Sequence, residues 1–173
     1  MSADQIFLAH SATLLGETYP QRIERALALI QESDLWWQPH SDTTSIGKLM
    51  LHLEGNIRQW VLSGLAGEAD HRQRAKEFQP DSQPGSAELL AALQSTTQAA
   101  AKSIASFEVT RLDQTIEIQG FKLPALEAIY HVVEHFSWHC GQIAWMAKQK
   151  AGEQHGLAYY DENQINSGRN PSE

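Results

Sequence analysis

The sequence predicts an all-helical protein folded as one bundle domain, and three observations carry that prediction. Four long segments place apolar residues three and four positions apart, the period of a helix with one buried face. The breaks between them hold glycine, proline and short polar residues, which punctuate regular structure. Only Thr115-Ile116-Glu117-Ile118-Gln119 alternates as a strand does, and so short a run makes a small ribbon, not a sheet that organises a fold.

The first segment runs from about Asp4 to Ser33, with Ile6, Phe7, Leu14, Leu15, Ile23, Ala26, Leu27 and Ile30 as its apolar positions. Pro20 lies inside it. Proline removes a backbone donor and crowds the preceding turn, so a kink or break is expected near Tyr19. Residues 34–44 read as a polar loop interrupted by Leu35, Trp36 and Trp37. Two adjacent indoles are costly to leave in water and should fold back onto the bundle. The second helix is expected from Ser45 to Leu65, capped by Thr43, Thr44 or Ser45. Its core face carries Ile46, Leu49, Met50, Leu53, Ile57, Trp60 and Val61, and Gly64 and Gly67 end it. Residues 68–85 are long, polar and charged and read as a surface loop. The third helix, Ser86 to Phe107, offers Leu89, Leu90, Leu93, Ala100 and Ile104 to the core. After the ribbon and its Gly120 turn, Pro124 stands where a first helical residue belongs. The fourth helix runs from there to Lys150, with Leu126, Ile129, Val133, Phe136, Cys140 and Ile143 as its seam. The bundle domain therefore spans residues 1–160, and 161–173 form a polar tail.

A chain of 173 residues is enough to bury a sizeable core. Its 42% hydrophobic and 20% charged content belongs to globular proteins, not disordered ones. Acidic residues outnumber basic ones 21 to 13, giving a net charge of -8. That balance repels phosphate backbones and anionic lipid, so neither nucleic acid nor a membrane is an expected partner. The densest basic run, Arg72, Arg74 and Lys76, is interrupted by Glu77 and reads as solvated loop. Met1 to Leu8 lacks the pattern of a signal peptide, no stretch approaches the roughly 18 apolar residues of a membrane span, and Cys140 has no second cysteine to pair with. Together these predict a cytoplasmic protein.

The chemistry concentrates on the fourth helix, where His131, His135 and His139 recur every four residues and form one row on one face. Two histidines at i and i+4 can reach one metal ion, and imidazole suits zinc, nickel, copper and iron. A third ligand should come from another helix, and His52, between Leu51 and Leu53, is the candidate. His52 and His135 each lie about 120° round their helix from the apolar seam, at the flank of the core. Cys140 falls on the seam itself and reads as a buried, inert thiol.

The string His52-Leu-Glu-Gly-Asn-Ile-Arg-Gln-Trp60, followed by His131-Val-Val-Glu-His-Phe-Ser-Trp-His-Cys-Gly-Gln-Ile143, resembles the DinB/YfiT-like superfamily, and the likeness covers about Asp4 to Tyr160. The resemblance implies a four-helix bundle in an up-down-down-up arrangement holding one divalent metal ion, nickel or zinc foremost and iron as a further choice. Its ligands would be His52, His135 and His139, leaving coordination positions open to water or substrate. His131 lies too far along the helix axis to join them and reads as a neighbour of the ligands, a substrate contact or a structural histidine. Asn56, one turn after His52, could orient a ligand, and Arg58 could pair with an acidic group in the protein or on a substrate. The resemblance also implies a homodimer, and a metal-dependent enzyme acting on an unidentified small molecule. Two reactions fit: transfer of a low-molecular-weight thiol such as bacillithiol or mycothiol, slightly favoured, or hydrolysis. Two further readings remain: a non-catalytic metal- or ligand-binding stress-related protein, and a helical dimer with an empty site.

Overall fold

Helix formation begins at the first residues. In the computed structural model Ser2 caps helix α1 (Ala3–Thr13) by accepting from the Gln5 amide, while the Gln5 side chain reaches back to the Ser2 amide. This reciprocal box satisfies two donors that a helix start leaves open. The structure describes residues 1–153 and 155–160, so the tail expected over 161–173 lies outside the described residues.

From α1 the chain continues without a break through a π-helical stretch, Leu14–Thr18, into α2 (Tyr19–Leu27). Pro20 sits in the first turn of α2. The expected kink thus takes the form of a widened turn, which accommodates a residue that has no N–H for the ladder. The helix also stops at Leu27, short of the expected Ser33. Leu35 is fully buried beyond it, and Trp36 and Trp37 are half-buried against the bundle as expected. The Trp36 indole donates to the Pro84 carbonyl at 3.2 Å, and the Lys150 ammonium stands 4.6 Å from the Trp37 ring.

Helix α3 (Ile46–Ile57) is capped by Ser45, which accepts from the Lys48 amide at 3.2 Å. It passes into a second π-helical stretch, Arg58–Ser63. Every expected core residue of this helix, from Ile46 to Val61, is buried. Residues 68–85 depart from the expected loop: they carry a short helix, α4 (Arg74–Phe78), which packs on α3 and buries Glu77. Helix α5 (Ser86–Ala105) buries Leu89, Leu93, Ala100 and Ile104, together with Thr96 and Thr97.

The ribbon consists of β1 (Thr115–Ile118) and β2 (Phe121–Pro124), antiparallel, with Ile118 opposite Phe121. Gln119 and Gly120 make the two-residue turn, with φ of 54° and 80°. Two positive φ values in succession match the strand twist, and glycine accepts one of them freely. Pro124 ends β2 and precedes α6 (Ala125–Ala151), one residue outside the helix where the sequence placed it within. The seam of α6 needs correction. Leu126 is exposed and Val133 half-buried, while Ala125, Ala128, Val132 and Ala147 join Ile129, Phe136, Cys140 and Ile143 in the core. At about 100° per residue Val133 and Leu126 lie roughly 60° and 80° round the helix from Phe136, at the edge of the buried face, whereas Ala125, Val132 and Ala147 lie within about 40° of it.

The chain is thus mostly helical, with a small antiparallel ribbon before its last helix. α3 packs on α5 and α6, α1 on α5, and α2 on α6. Among the described residues no helix is long and apolar enough to cross a membrane.

Candidate metal centre

Packing of α3 against α6 brings His52 to the histidine row. The His52 and His135 Nε2 atoms stand 3.1 Å apart, and those of His135 and His139 also 3.1 Å. One ligand atom from each of the three lies within 4.8 Å of the other two. Nitrogens about 2.1 Å from a common ion are separated by roughly 3.0–3.4 Å in octahedral or tetrahedral geometry, so the spacing suits a shared divalent cation. His131 is not of this group. Its ring lies 4.3 Å from Trp60 and 5.6 Å from His135, centroid to centroid. It is a neighbour of the cluster, as its axial offset predicts.

The protonation of the row suits the same role. Burial, then the neighbouring charges of His139, His52 and His131 and of Arg72, push the His135 imidazole down to about 3. Burial also lowers His139, although its hydrogen bond to Gln142 opposes the shift. A neutral imidazole has the lone pair that a metal needs.

His52 is more buried than the flank position expected of it, at 6% exposure. Its cover comes from the segment read as solvated loop. The His52 Nδ1 lies 2.8 Å from Glu77 Oε2. An Arg72 Nη2 is 3.3 Å from the same nitrogen, which cannot donate to one and accept from the other. The shorter contact, to a carboxylate, decides that Nδ1–H donates to Glu77 and that the Nε2 lone pair faces the other histidines. Arg72 instead grips Glu77 bidentately, through Nε at 2.6 Å and Nη2 at 2.9 Å, with both side chains almost wholly buried at 3% and 8% exposure. Burial raises the Glu77 carboxyl, but the bonds from His52 and Arg72 and the guanidinium charge outweigh it and hold the group below its ordinary value. Arg72 Nη1 then donates to Gln59 at 2.8 Å, and the Gln119 side chain at the ribbon turn donates to the same oxygen. A carboxylate behind a histidine fixes its tautomer and ring angle, the arrangement usual behind metal-ligating imidazoles.

Gly55 makes this approach possible. A Cβ there would collide with the Glu77 carboxylate, lying 3.0 Å from Cδ and closer still to Oε1. His139 has its own orienting partner: its Nδ1 lies 2.6 Å from Gln142 Oε1, one turn along α6.

The chain matches, over residues 4–158, the family described as Protein of unknown function (DUF1572). It belongs to that family. No curated protein matches it. In this DUF1572 chain Arg58 pairs with Glu54, donating at 2.5 Å, and with Thr96 at 2.9 Å, so its acidic partner is internal. Asn56 is buried and hydrogen-bonds to no histidine. Its Oδ1, the Trp60 Nε1 and the His135 Nδ1 are buried without a hydrogen-bond partner among the described residues. Unsatisfied buried polar atoms are few in folded proteins, and of these three the His135 Nδ1 belongs to the cluster itself. Cys140 is buried, 4.0 Å from the Tyr19 carbonyl, and its thiol is pushed up to about 11 by burial. That burial is what its seam position predicts.

Glu77, Arg72 and Gln142 escaped the sequence reading. Gln142 lay within the quoted motif three residues after His139 and had a findable signal. Glu77 had none, because it sits on the five-residue helix α4, too short to show a periodicity, and meets His52 only where α4 packs on α3.

Proposed function

We propose that this protein is a divalent-metal protein of DinB/YfiT type, a four-helix bundle whose ion is held by His52, His135 and His139. The single observation that carries the reading is the convergence of three Nε2 atoms, one of them on a ring backed by a buried carboxylate. His52 is held by Glu77 and His139 by Gln142, so two of the three rings are oriented before any ion arrives. A set of three histidines leaves coordination positions free, the form of a catalytic site rather than a sealed structural one. A bound divalent ion would supply Lewis acidity there, lowering the pKa of a water or thiol that meets it. The chain's part is to hold the three imidazoles aligned, with His135 and His139 kept neutral by burial, and to keep Glu77 ionised behind them. The activity that fits is thiol transfer or hydrolysis on a small molecule, with nickel or zinc as the first metals to try and iron next.

The experiment is cobalt substitution. Cobalt(II) bound with one equivalent per chain and a nitrogen-ligand absorption spectrum supports the site. Addition of a low-molecular-weight thiol then separates the reactions: a new charge-transfer band favours thiol transfer, and an unchanged spectrum with turnover of ester or amide substrates favours hydrolysis. No cobalt uptake would overturn the metal reading and leave a ligand-binding helical protein.

A further inference from the structure

Along the outer side of α6, two neighbouring clefts share Tyr130 and Glu134. The larger, about 620 Å³, is also lined by Trp60, Phe121, Glu127 and His131. The other, about 390 Å³, adds Tyr19 and Trp138. Both volumes are those of small-molecule sites. Phe121, Tyr130 and Trp138 are more than half exposed, at 61%, 60% and 67%, so aromatic faces remain uncovered round a concavity. Glu127 and Glu134 lie one turn to either side of Tyr130, and neither is in an ion pair among the described residues. Lys122, also at the rim, faces Glu117 at 3.7 Å.

Electron-rich ring faces and unpaired carboxylates, on a chain of net charge -8, attract positive charge. A bare metal ion does not fit, because residues seven apart on a helix are separated by roughly 10 Å along its axis and two such carboxylates cannot share one ion. A cation with an apolar body spans that distance and covers the rings between. We propose that this cleft binds a small organic cation, a quaternary or protonated amine carried on an apolar frame. At one wall His131 lies tilted against Trp60 and adjoins His135, so the bound cation lies one imidazole away from the candidate metal centre. Its being that centre's substrate rests on the metal reading above; its binding does not.

The test is an NMR titration of the metal-free chain with choline and with its uncharged isostere 3,3-dimethylbutan-1-ol, followed at the tryptophan indole N–H signals. Saturable shifts at Trp60 and Trp138, with choline bound at least about fivefold tighter than the isostere, are expected. Glu134→Gln and Tyr130→Leu, both at exposed positions, should each weaken choline several-fold and leave the fold unchanged. Equal binding of the two probes, no saturation, or wild-type affinity in both variants would overturn the proposal. So would a dimer, by sedimentation, that covers Trp138 and excludes the probe. Choline binding sustains the proposal even where the histidines take no metal, and its absence from a chain that does take metal overturns the proposal alone.

Discussion

Helix α6 and the segment from 68 to 85 each hold one side of the same histidine, and they do so by different means. On α6, His135 and His139 meet because a helix repeats every 3.6 residues, so their placement follows from local geometry alone. Across the ring, Glu77 meets His52 because a charged stretch carrying the short helix α4 folds inward and buries an ion pair. The first side is regular and independent of the rest of the protein once the helix forms. The second exists only in the tertiary structure, held by Arg72 behind it, Gln59 beyond that and the bare Cα of Gly55 beneath. One half of the site is thus local to α6, which carries His135, His139 and Gln142, and the other half, His52 with the Arg72–Glu77 pair behind it, exists only through tertiary packing.

The contrast can be broken first at the ligands. His135→Ala should abolish stoichiometric metal binding while the far-UV circular dichroism stays helical, since the helix does not depend on that ring. Metal retained in the variant would show that the row is not the site. Glu77→Ala should differ in kind. It leaves a nearly fully buried guanidinium without its partner, a change that costs roughly 3–5 kcal/mol of stability. Glu77→Gln, which keeps the shape, should fold and weaken metal binding by roughly 10–100-fold, measured by competition with a chelator. A wild-type affinity in Glu77→Gln would reduce the carboxylate to a structural part.

Gly55→Ala sharpens the comparison by leaving every ligand and every charge in place. Crowding against the carboxylate should cost about 1–3 kcal/mol, offset by up to about 1 kcal/mol of better helix propensity. Metal affinity should fall further than stability does, because the displaced group is the one behind His52. An unchanged affinity would mean that Glu77 shifts without consequence.

The acid limb of stability in the metal-free protein joins the two sides. His135 is held at about 3 in the folded chain, so from about pH 6.5 downward the unfolded state takes up that proton first and stability declines. Glu77 is held below its ordinary value, so its contribution, present above about 4.5, is lost as pH falls through the folded value. Denaturant titrations should show stability decreasing steadily from pH 6.5 towards 3, and His135→Ala should flatten the upper part of that decline.

Cys140 gives the smallest effect. Cys140→Ala should change stability modestly and metal content not at all. The thiol, buried and raised to about 11, should resist alkylation at pH 8 until the chain is unfolded. Loss of metal in the variant would place the thiol nearer the ions' site than the seam allows.

How much could be read beforehand follows the same division. Apolar spacing located all four long helical segments, and the Ser45 cap and the ribbon were visible as local signals. His135 and His139 were visible in the helical repeat, whereas His52 was joined to them by the motif resemblance, because no periodicity shows which helices are neighbours. What was misread lay where tertiary contacts overrule local pattern. Leu126 is the exception: it is apolar yet exposed because it sits roughly 80° round α6 from Phe136, at the edge of the buried face. His52 is buried rather than at a flank, because α4 covers it. Arg72 and Glu77 are charged yet buried, since each satisfies the other. A polar stretch rich in both charges reads as solvated until something shows which charges pair.

The measurement that bears most directly on the histidine centre is the metal content of untagged protein, as purified and after reconstitution, beside His52→Ala prepared identically. One equivalent of zinc, nickel or iron in the parent, lost in the variant with its helices intact, is the expected result. No stoichiometric metal in the parent after reconstitution, or the same content in both proteins, would contradict it.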